Sequence, residues 1–289
     1  MTLNRTPSIR IVTDSAARLS LNWAKENDVI VLPQYVLLNG REYREDLDLS
    51  EADLAQQAIR SKKPFTVRAP SVEDFDRVYG ALADKRAEII SIHVSSALSE
   101  TVQNALKARE TYLGRCRIHI VDSRSMALGL NELVQAAVKL AKRGETGETI
   151  VRHLRGLMQH IYGIFISDDM DYLEHSKRLR PAQAILGAML GIIPCLSMEE
   201  GDLVAVEKVR TAERAIEKVT EFVTEFDDQA QLAVLQLSPQ SNDRTQTLIE
   251  ALQTYFTRMK EIPVKSCGAT VGRIIGPNGV GVMIYEGRI

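Results

Sequence analysis

Cysteine and aromatic residues are both scarce in this chain. Its 289 residues include three cysteines, Cys116, Cys195 and Cys267, which lie far apart and form no C-x-x-C pair. That spacing excludes a disulfide framework and a common zinc site, and it indicates buried thiols. Aromatic side chains make up 5% of the residues, which is too few for the stacking surfaces that bind single-stranded nucleic acid.

Charge imbalance and long apolar runs are also missing. The formal net charge is −2, with 26% charged residues, and this balance favours neither nucleic acid nor an anionic membrane as a partner. The longest apolar run, 184–198, is interrupted by glycines and Pro194 and is shorter than the roughly 20 residues of a membrane helix. It predicts a buried helix followed by a buried strand. No signal-peptide pattern precedes the first strand, so we expect a cytoplasmic protein without membrane insertion.

The chain does contain a regular alternation of strand-like and helix-like segments. The strand-like segments of the first half are 9–13, 29–32, 87–94 and 117–121. Helix-like segments separate them, and two of these begin with the capping patterns at 50–53 and 71–74. This alternation predicts an α/β fold in which helices cover a parallel sheet.

Two α/β domains are expected from the length and from a break in the helical pattern. Glycines at 144 and 147 separate two helix-like stretches, which places a boundary within 144–160. We assign residues 1–155 to an N-terminal parallel-sheet domain and residues 156–289 to a C-terminal domain with a mixed sheet. In that second domain, 192–196 and 203–209 flank a turn-rich tetrad and predict a hairpin.

The end of the chain is rich in glycine and apolar residues. The segments 267–275 and 280–285 predict a pair of strands joined by a turn. The glycines at 276–281 lack the strand-to-helix context and the lysine of a phosphate-binding loop.

The segment 95–101 is the strongest candidate for a ligand site. Three serines and a threonine stand where a predicted strand gives way to a helix beginning at Glu100, which places Ser99 at the N-cap. Ligands of open α/β folds bind beyond the carboxyl ends of the strands, where backbone N–H groups favour an anion. A carboxylate or a phosphate is the favoured ligand, and the alternative is that Ser99 only caps its helix.

Other residues near the predicted strand ends allow an enzymatic alternative. Asp14 and Asp122 each end a strand and are followed by serine, so they either orient a site or close loops as Asx turns. Ser99, His93 and Asp122 supply the residue types of a serine hydrolase, although the chain has no G-x-S-x-G elbow. The five histidines show no metal-ligand spacing, and we expect no metal or cofactor.

Basic residues border the apolar run 184–198. Arg178 and Arg210 are suited to bidentate binding of a carboxylate or a phosphate. They are candidates for docking an acidic partner, and the alternative is solvated surface charge.

Several segments together resemble the DegV family in order and spacing over nearly the whole chain. They are 11–15, 70–71 with 74–75, 95–99 with Thr101 and Ala105, 121–123, 172–173 with Arg178, 186–194, Gly201 and 208–211. The resemblance implies a two-domain α/β protein that holds a long-chain fatty acid, such as palmitate, in a tunnel between its domains. Such a protein is a lipid carrier and not an enzyme, and some relatives present the acid to a fatty acid kinase. An acyl-phosphate-handling enzyme at the same strand ends stays open as the alternative.

The resemblance also implies site residues. The family serine that contacts the carboxylate falls on Ser99. The family Thr-Ser-x-Pro pattern, counted back from its proline, places Val67 and Arg68 at Thr-Ser, so either Thr66 serves after a shift of one residue or that hydroxyl is absent. We predict that Ser99 and Thr66 bind the carboxylate, with Ser96 beside them and Arg68 supporting the charge.

Two departures from the family pattern affect these expectations. Glu100 stands where the family has glycine, and two charges about 5 Å apart would repel by roughly 3 kcal/mol at an effective dielectric near 20. We therefore expect Glu100 to point outward or Arg68 to offset it. The family's C-terminal histidine falls on Ile274, and Asn278 replaces a glycine, which bears on the kinase partner more than on lipid binding.

Overall fold

The computed structural model describes residues 8–61, 63–83, 87–167, 169–226, 230–238 and 240–287. The elements of the first half are β1 (Ile9–Asp14), α1 (Leu21–Glu26), β2 (Ile30–Leu32), β3 (Tyr35–Leu38), β4 (Arg41–Arg44), α2 (Glu51–Ser61), β5 (Thr66–Arg68), α3 (Val72–Ala83), β6 (Glu88–His93), α4 (Thr101–Glu110), β7 (Ile118–Asp122), α5 (Ala127–Lys142) and α6 (Gly147–Leu157). Those of the second half are β8 (Ile161–Ile166), α7 (Met170–His175), α8 (Pro181–Met189), β9 (Ile193–Glu199), β10 (Asp202–Val209), α9 (Ala212–Val223), β11 (Gln231–Gln236), α10 (Asp243–Gln253), β12 (Val264–Ser266), α11 (Gly268–Ile275) and β13 (Val280–Tyr285).

The first half contains a four-stranded parallel sheet in the order β2-β1-β6-β7. Its central strand β6 is buried at every position, because helices cover both faces of a parallel sheet and both faces must be apolar. The predicted parallel sheet is thus confirmed. Since parallel strands end at one edge, Asp14, His93 and Asp122 come to the same side of the molecule.

A small antiparallel sheet in the order β4-β3-β5 was not predicted from the sequence. Its strands have only three or four residues, and β4 reads Arg-Glu-Tyr-Arg. Such short, charged strands lack the apolar alternation by which strands are found. The sheet matters for the site because β5 carries Thr66 and Arg68.

The second half forms a six-stranded mixed sheet in the order β10-β9-β8-β13-β11-β12. Only β11 and β12 are paired in parallel. The predicted hairpin is confirmed as β9 and β10. Its turn residues Glu200 and Gly201 both have positive φ, 49° and 86°, the conformation that matches the twist of a tight hairpin.

The strand predicted at 267–275 is wrong, because this segment is the helix α11. Every residue of α11 is buried except the half-buried Arg273. A helix that is buried all round has no polar face, so its sequence cannot be distinguished from a buried strand by periodicity. The glycine-rich turn after it therefore joins a helix to β13, and not two strands.

The apolar run 184–198 is also less buried than its composition predicted. Four apolar side chains of α8 and the residue after it, Ile185, Leu186, Met189 and Leu190, are between 54% and 78% exposed. The strand half of the run, β9, does enter the core through Cys195 and Leu196. No helix within the described residues combines the length and the apolar character that a bilayer crossing requires.

One buried carboxylate connects three parts of the chain. Glu45, which follows β4, accepts a hydrogen bond from Ser15 Oγ at 2.5 Å and one from the backbone N–H of Ala269 in α11 at 2.7 Å. Arg18 Nη1 lies 3.2 Å from the same carboxylate and also binds Asp46. Burial raises the pKa of Glu45, and the charge of Arg18 opposes that rise.

The approach of α11 to this carboxylate requires glycine at its first residue. Gly268 has φ of 72°, and a Cβ there would lie 2.8 Å from Arg18 Cδ and 3.2 Å from Glu45 Oε1. Both the backbone conformation and the space therefore exclude a larger side chain.

We expect Glu45→Ala to lower the free energy of unfolding by about 3 kcal/mol, because it leaves Arg18 and the Ala269 N–H without their buried acceptor. Glu45→Gln keeps an acceptor oxygen and should cost less. Urea denaturation measures both. Glu42→Ala is the control, since Glu42 is exposed and pairs with the exposed Arg68, and it should cost no more than about 1 kcal/mol. Equal losses at positions 45 and 42 would contradict the structural role of Glu45.

Candidate functional site

The aspartates at the strand ends hold the loops that follow them. Asp14 accepts hydrogen bonds from the backbone N–H groups of Ala16 and Val94, at 3.1 and 3.0 Å. Asp122 accepts from those of Ser96 and Arg124, at 3.2 and 3.0 Å. In each case one bond goes to the residue two positions ahead, which is an Asx turn. The two aspartates thus close loops, as one of the sequence alternatives proposed.

Ser96 belongs to this loop-closing arrangement. Its hydroxyl donates to Asp122 Oδ2 at 2.5 Å, so it already has a charged acceptor. The tip of the β9–β10 hairpin packs against the neighbouring residue, since a Cβ on Gly201 would lie 2.4 Å from Ser95 Oγ. Ser96 is therefore part of a loop held from both halves of the chain, and its role as a ligand-binding residue stays a prediction.

Ser99 is not the N-cap of α4, contrary to the expectation from the sequence. The helix begins at Thr101, and its N-cap is Glu100, which makes no side-chain capping bond. Ser99 Oγ lies instead 2.8 Å from Thr101 Oγ1, which accepts from Gln34 Nε2 at 3.1 Å. A hydroxyl can donate once and accept twice, so half-buried Ser99 retains capacity for a ligand.

Glu100 is exposed, which agrees with the expectation that it points outward. Its carboxylate therefore points into water, where charge repulsion is screened. The Glu100 charge thus lies at the surface, beside the serine loop (residues 95–99).

Residues on β5 alternate between the core and the surface. Val67 is half-buried and packs against the main apolar cluster, whereas Thr66 and Arg68 are exposed on the opposite face. Thr66 pairs with Leu37 of β3, and within the described residues it makes no hydrogen bond to Ser99. The residue that faces inward is thus Val67, which has no hydroxyl.

Arg68 is occupied by neighbours on the same small sheet. Its guanidinium makes two hydrogen bonds to Glu42, at 3.0 and 2.9 Å, and lies 4.0 Å above the ring of Tyr35. Glu42 compensates its charge, and within the described residues Arg68 does not contact the serine loop. Its support of a ligand charge stays a prediction.

The serine hydrolase arrangement is not formed. His93 is fully buried and uses both ring nitrogens within the sheet, with Nδ1 2.9 Å from Asp14 Oδ2 and Nε2 2.6 Å from Ser91 Oγ. It therefore cannot act as a base for Ser99, and Asp122 is bound to the loop instead. Ser91 itself is fully buried, so a substrate cannot reach this Ser-His-Asp chain.

The two candidate docking arginines differ in their surroundings. Arg178 is largely buried; its Nη1 donates a hydrogen bond to Asp202 Oδ2 at 3.1 Å, and its Nη2 forms an ion pair with Asp202 Oδ1 at 2.5 Å. Arg210 is exposed immediately after β10. The structure therefore leaves Arg210 accessible at the surface, and the docking role of both residues stays a prediction.

Two polar residues near the serine loop were missed in the sequence because they lie in α11. Arg273 Nη2 donates to the carbonyl oxygen of Leu98 at 2.6 Å, and this carbonyl belongs to the peptide bond that leads into Ser99. Thr270 lies one turn earlier and is buried. The sequence signal that could have identified Arg273 is an arginine within an otherwise apolar segment. Within the described residues, no group of three or more His, Cys, Asp or Glu could hold a metal ion.

Comparison with known proteins agrees with this architecture. A family model described as "Uncharacterised protein, DegV family" matches residues 8–287. A DegV domain-containing protein of Halalkalibacterium halodurans is 32% identical over 281 residues, covering 96% of this chain and 98% of that protein.

Solved structures show the same fold. The structure titled "Fatty Acid Binding of a DegV family Protein from Thermus thermophilus" is 28% identical with a TM-score of 0.81, covering 96% of this chain and 99% of that one. A DegV family protein of Streptococcus agalactiae, also titled as fatty acid binding, has a TM-score of 0.86 at 23% identity, over 98% of this chain and all of that one. At that identity the second likeness concerns the fold alone. The chain belongs to the DegV family.

Proposed function

We propose that this protein binds a long-chain fatty acid, with the carboxylate at Ser99 and the acyl tail between the two halves of the chain. The observation that carries this proposal is the half-buried Ser99 hydroxyl, which caps no helix and stands at the strand ends. The loop borders one apolar cluster that includes Leu98 and Val36 from the first half and Leu173 and Ile274 from the second. Apolar side chains from both halves, with polar groups at one end, are the surroundings that a fatty acid requires.

The tail accounts for most of the expected affinity. Transfer of a methylene group from water contributes about 0.8 kcal/mol, so a tail of about 14 methylenes contributes roughly 11 kcal/mol before the costs of association. The hydrogen bonds at Ser99 add less and orient the acid. The fatty acid binding of the Thermus thermophilus relative supports this ligand class.

The same geometry favours a carrier over an enzyme. A serine becomes a nucleophile when a base accepts its proton. The Ser99 hydroxyl is paired instead with another hydroxyl, that of Thr101, at 2.8 Å. Both ring nitrogens of His93 are hydrogen-bonded, one to Asp14 and the other to Ser91. We propose that the bound acid is neither cleaved nor activated by this chain, and that no further cofactor takes part.

Organic extraction of the purified protein, followed by mass spectrometry, should release a long-chain acid. Ser99→Ala removes a hydrogen bond to a charged group, and we expect at least about tenfold less retained acid. Ser241→Ala, at an exposed serine, should change nothing. Thr66→Val should also retain the acid, because Thr66 faces outward, and this result decides the role of Thr66. Absence of lipid together with no binding of added palmitate would refute the proposal.

The hydrolase alternative is tested with a fluorophosphonate probe, which labels activated serines. We expect no labelling of Ser99, because its environment supplies no base. Labelling of the protein that disappears in Ser99→Ala would reject the carrier and establish the enzyme.

We further propose that the protein presents its acid to the catalytic subunit of a fatty acid kinase, docking through Arg210 and Arg178. Exposed Arg210 supports this, since it can meet an acidic surface. Arg210→Glu should abolish capture by such a subunit in a pull-down and leave the lipid content unchanged, whereas Arg152→Glu on α6 should affect neither. Undiminished capture by Arg210→Glu would contradict this docking surface.

We also propose that the protein acts in the cytoplasm. Its three cysteines are unpaired, which suits a compartment where thiols stay reduced. Fractionation of the source cells measures this placement, and recovery outside the cytoplasmic fraction would contradict it.

A further inference from the structure

We propose that α11 supplies the charged part of the head-group site: Arg273 neutralises the anionic head of the ligand, and Thr270 donates a second hydrogen bond to it. This inference rests on the proposed fatty acid binding. It names two residues that lie outside the strand-end loops, and it specifies that the site selects for negative charge.

Arg273 has donors that the protein leaves unused. Among the described residues, its one hydrogen-bond partner is the carbonyl oxygen of Leu98, at 2.6 Å. Nε is buried without a partner, although a guanidinium carries five N–H donors. No carboxylate within the described residues forms an ion pair with it. A largely buried cation whose acceptor is neutral is costly unless an anion joins it.

The charges next to Arg273 do not neutralise it. Burial lowers the pKa of Arg273, and the nearby charge of Arg178 lowers it further. Asp202 neutralises Arg178 through one hydrogen bond and one ion pair. The charges of Arg178, Asp202 and Arg273 therefore sum to one positive charge, which is that of Arg273.

Carboxylates at the two ends of α11 are engaged elsewhere. At the first turn, Glu45 binds Ser15 and Arg18. At the last, Asp169 lies against Gly276 and accepts a hydrogen bond from the Tyr172 N–H as the cap of α7. The anion that complements Arg273 is therefore expected from a ligand.

Thr270 lies one turn before Arg273 on the same face of α11. Residues three apart share one face of a helix, so Thr270 and Arg273 project from one side of α11. Thr270 is 1% exposed and its Oγ1 has no hydrogen-bond partner. The helix packs against β5, whose inward residue is Val67. Because the inward residue of β5 has no hydroxyl, Thr270 of α11 is the residue that can supply one.

The Leu98 carbonyl places this pair beside Ser99. Because the peptide bond of that carbonyl includes the Ser99 nitrogen, the guanidinium that holds it lies next to the serine. Ser99 and Arg273 then approach one head group from the two halves of the chain. A fixed guanidinium favours a carboxylate over a hydroxyl of the same chain length.

The test compares palmitate with 1-hexadecanol, which has the same chain length and no charge. Retention of each radiolabelled ligand by the lipid-free protein should favour palmitate by about 10- to 100-fold. Arg273→Gln should remove that preference by weakening palmitate alone, and Arg273→Lys should keep part of it because the charge remains. Thr270→Val should weaken palmitate by several-fold without loss of stability, since it removes an unpartnered hydroxyl.

Each outcome decides between the two proposals. Equal binding of both ligands by the unaltered protein overturns the role of Arg273 but leaves lipid binding standing, and this measurement needs no variant to fold. Binding of neither ligand overturns the proposed function itself. A parallel loss of palmitate and hexadecanol in Arg273→Gln identifies a structural residue and overturns the inference. Arg152→Gln, an exposed arginine on α6, is the matched control and should bind as the unaltered protein does.

Discussion

Burial of the Glu45 carboxylate is the constraint on which the junction of the two halves depends. A charge at 4% exposure is stable there only because Arg18, the Ser15 hydroxyl and the Ala269 N–H converge on it. That convergence fixes the start of α11 against the turn that follows β1. The register of α11 then determines which of its side chains reaches the Leu98 carbonyl.

The polar groups at the strand ends divide into two sets. Asp14 accepts a hydrogen bond from the Val94 N–H, and Asp122 accepts bonds from the N–H and the hydroxyl of Ser96, so these residues make the loops rigid. Within the described residues, the Ser99 hydroxyl has one hydrogen-bond partner, the Thr101 hydroxyl, and it therefore keeps capacity for a ligand. A binding site needs both kinds of residue, because a ligand group is precise only when the loop that carries it is fixed.

The sequence was sufficient for features with a strong local pattern. The strands of the parallel sheet are rich in isoleucine and valine and alternate with helical segments, and the hairpin strands flank a turn-rich tetrad, so both were predicted. The helix α11 was not predicted, since a segment that is buried on almost every side has no periodicity. Arg273 was therefore not recognised as a candidate site residue. The position of Ser99 depended on where α4 begins, a difference of one residue. The pairing of Arg68 with Glu42 joins residues 26 apart, and no local pattern contains such a contact.

The position of β13 has a consequence for synthesis of the protein. This strand lies between β8 and β11 in space, although it follows both along the chain. A nascent chain that lacks residues 280–285 has two separate sheet fragments, each with an unpaired apolar edge of the kind that attracts other strands. The second half therefore closes only after those residues have been synthesised, and until then both edges are exposed to the strand pairing through which partly folded chains aggregate.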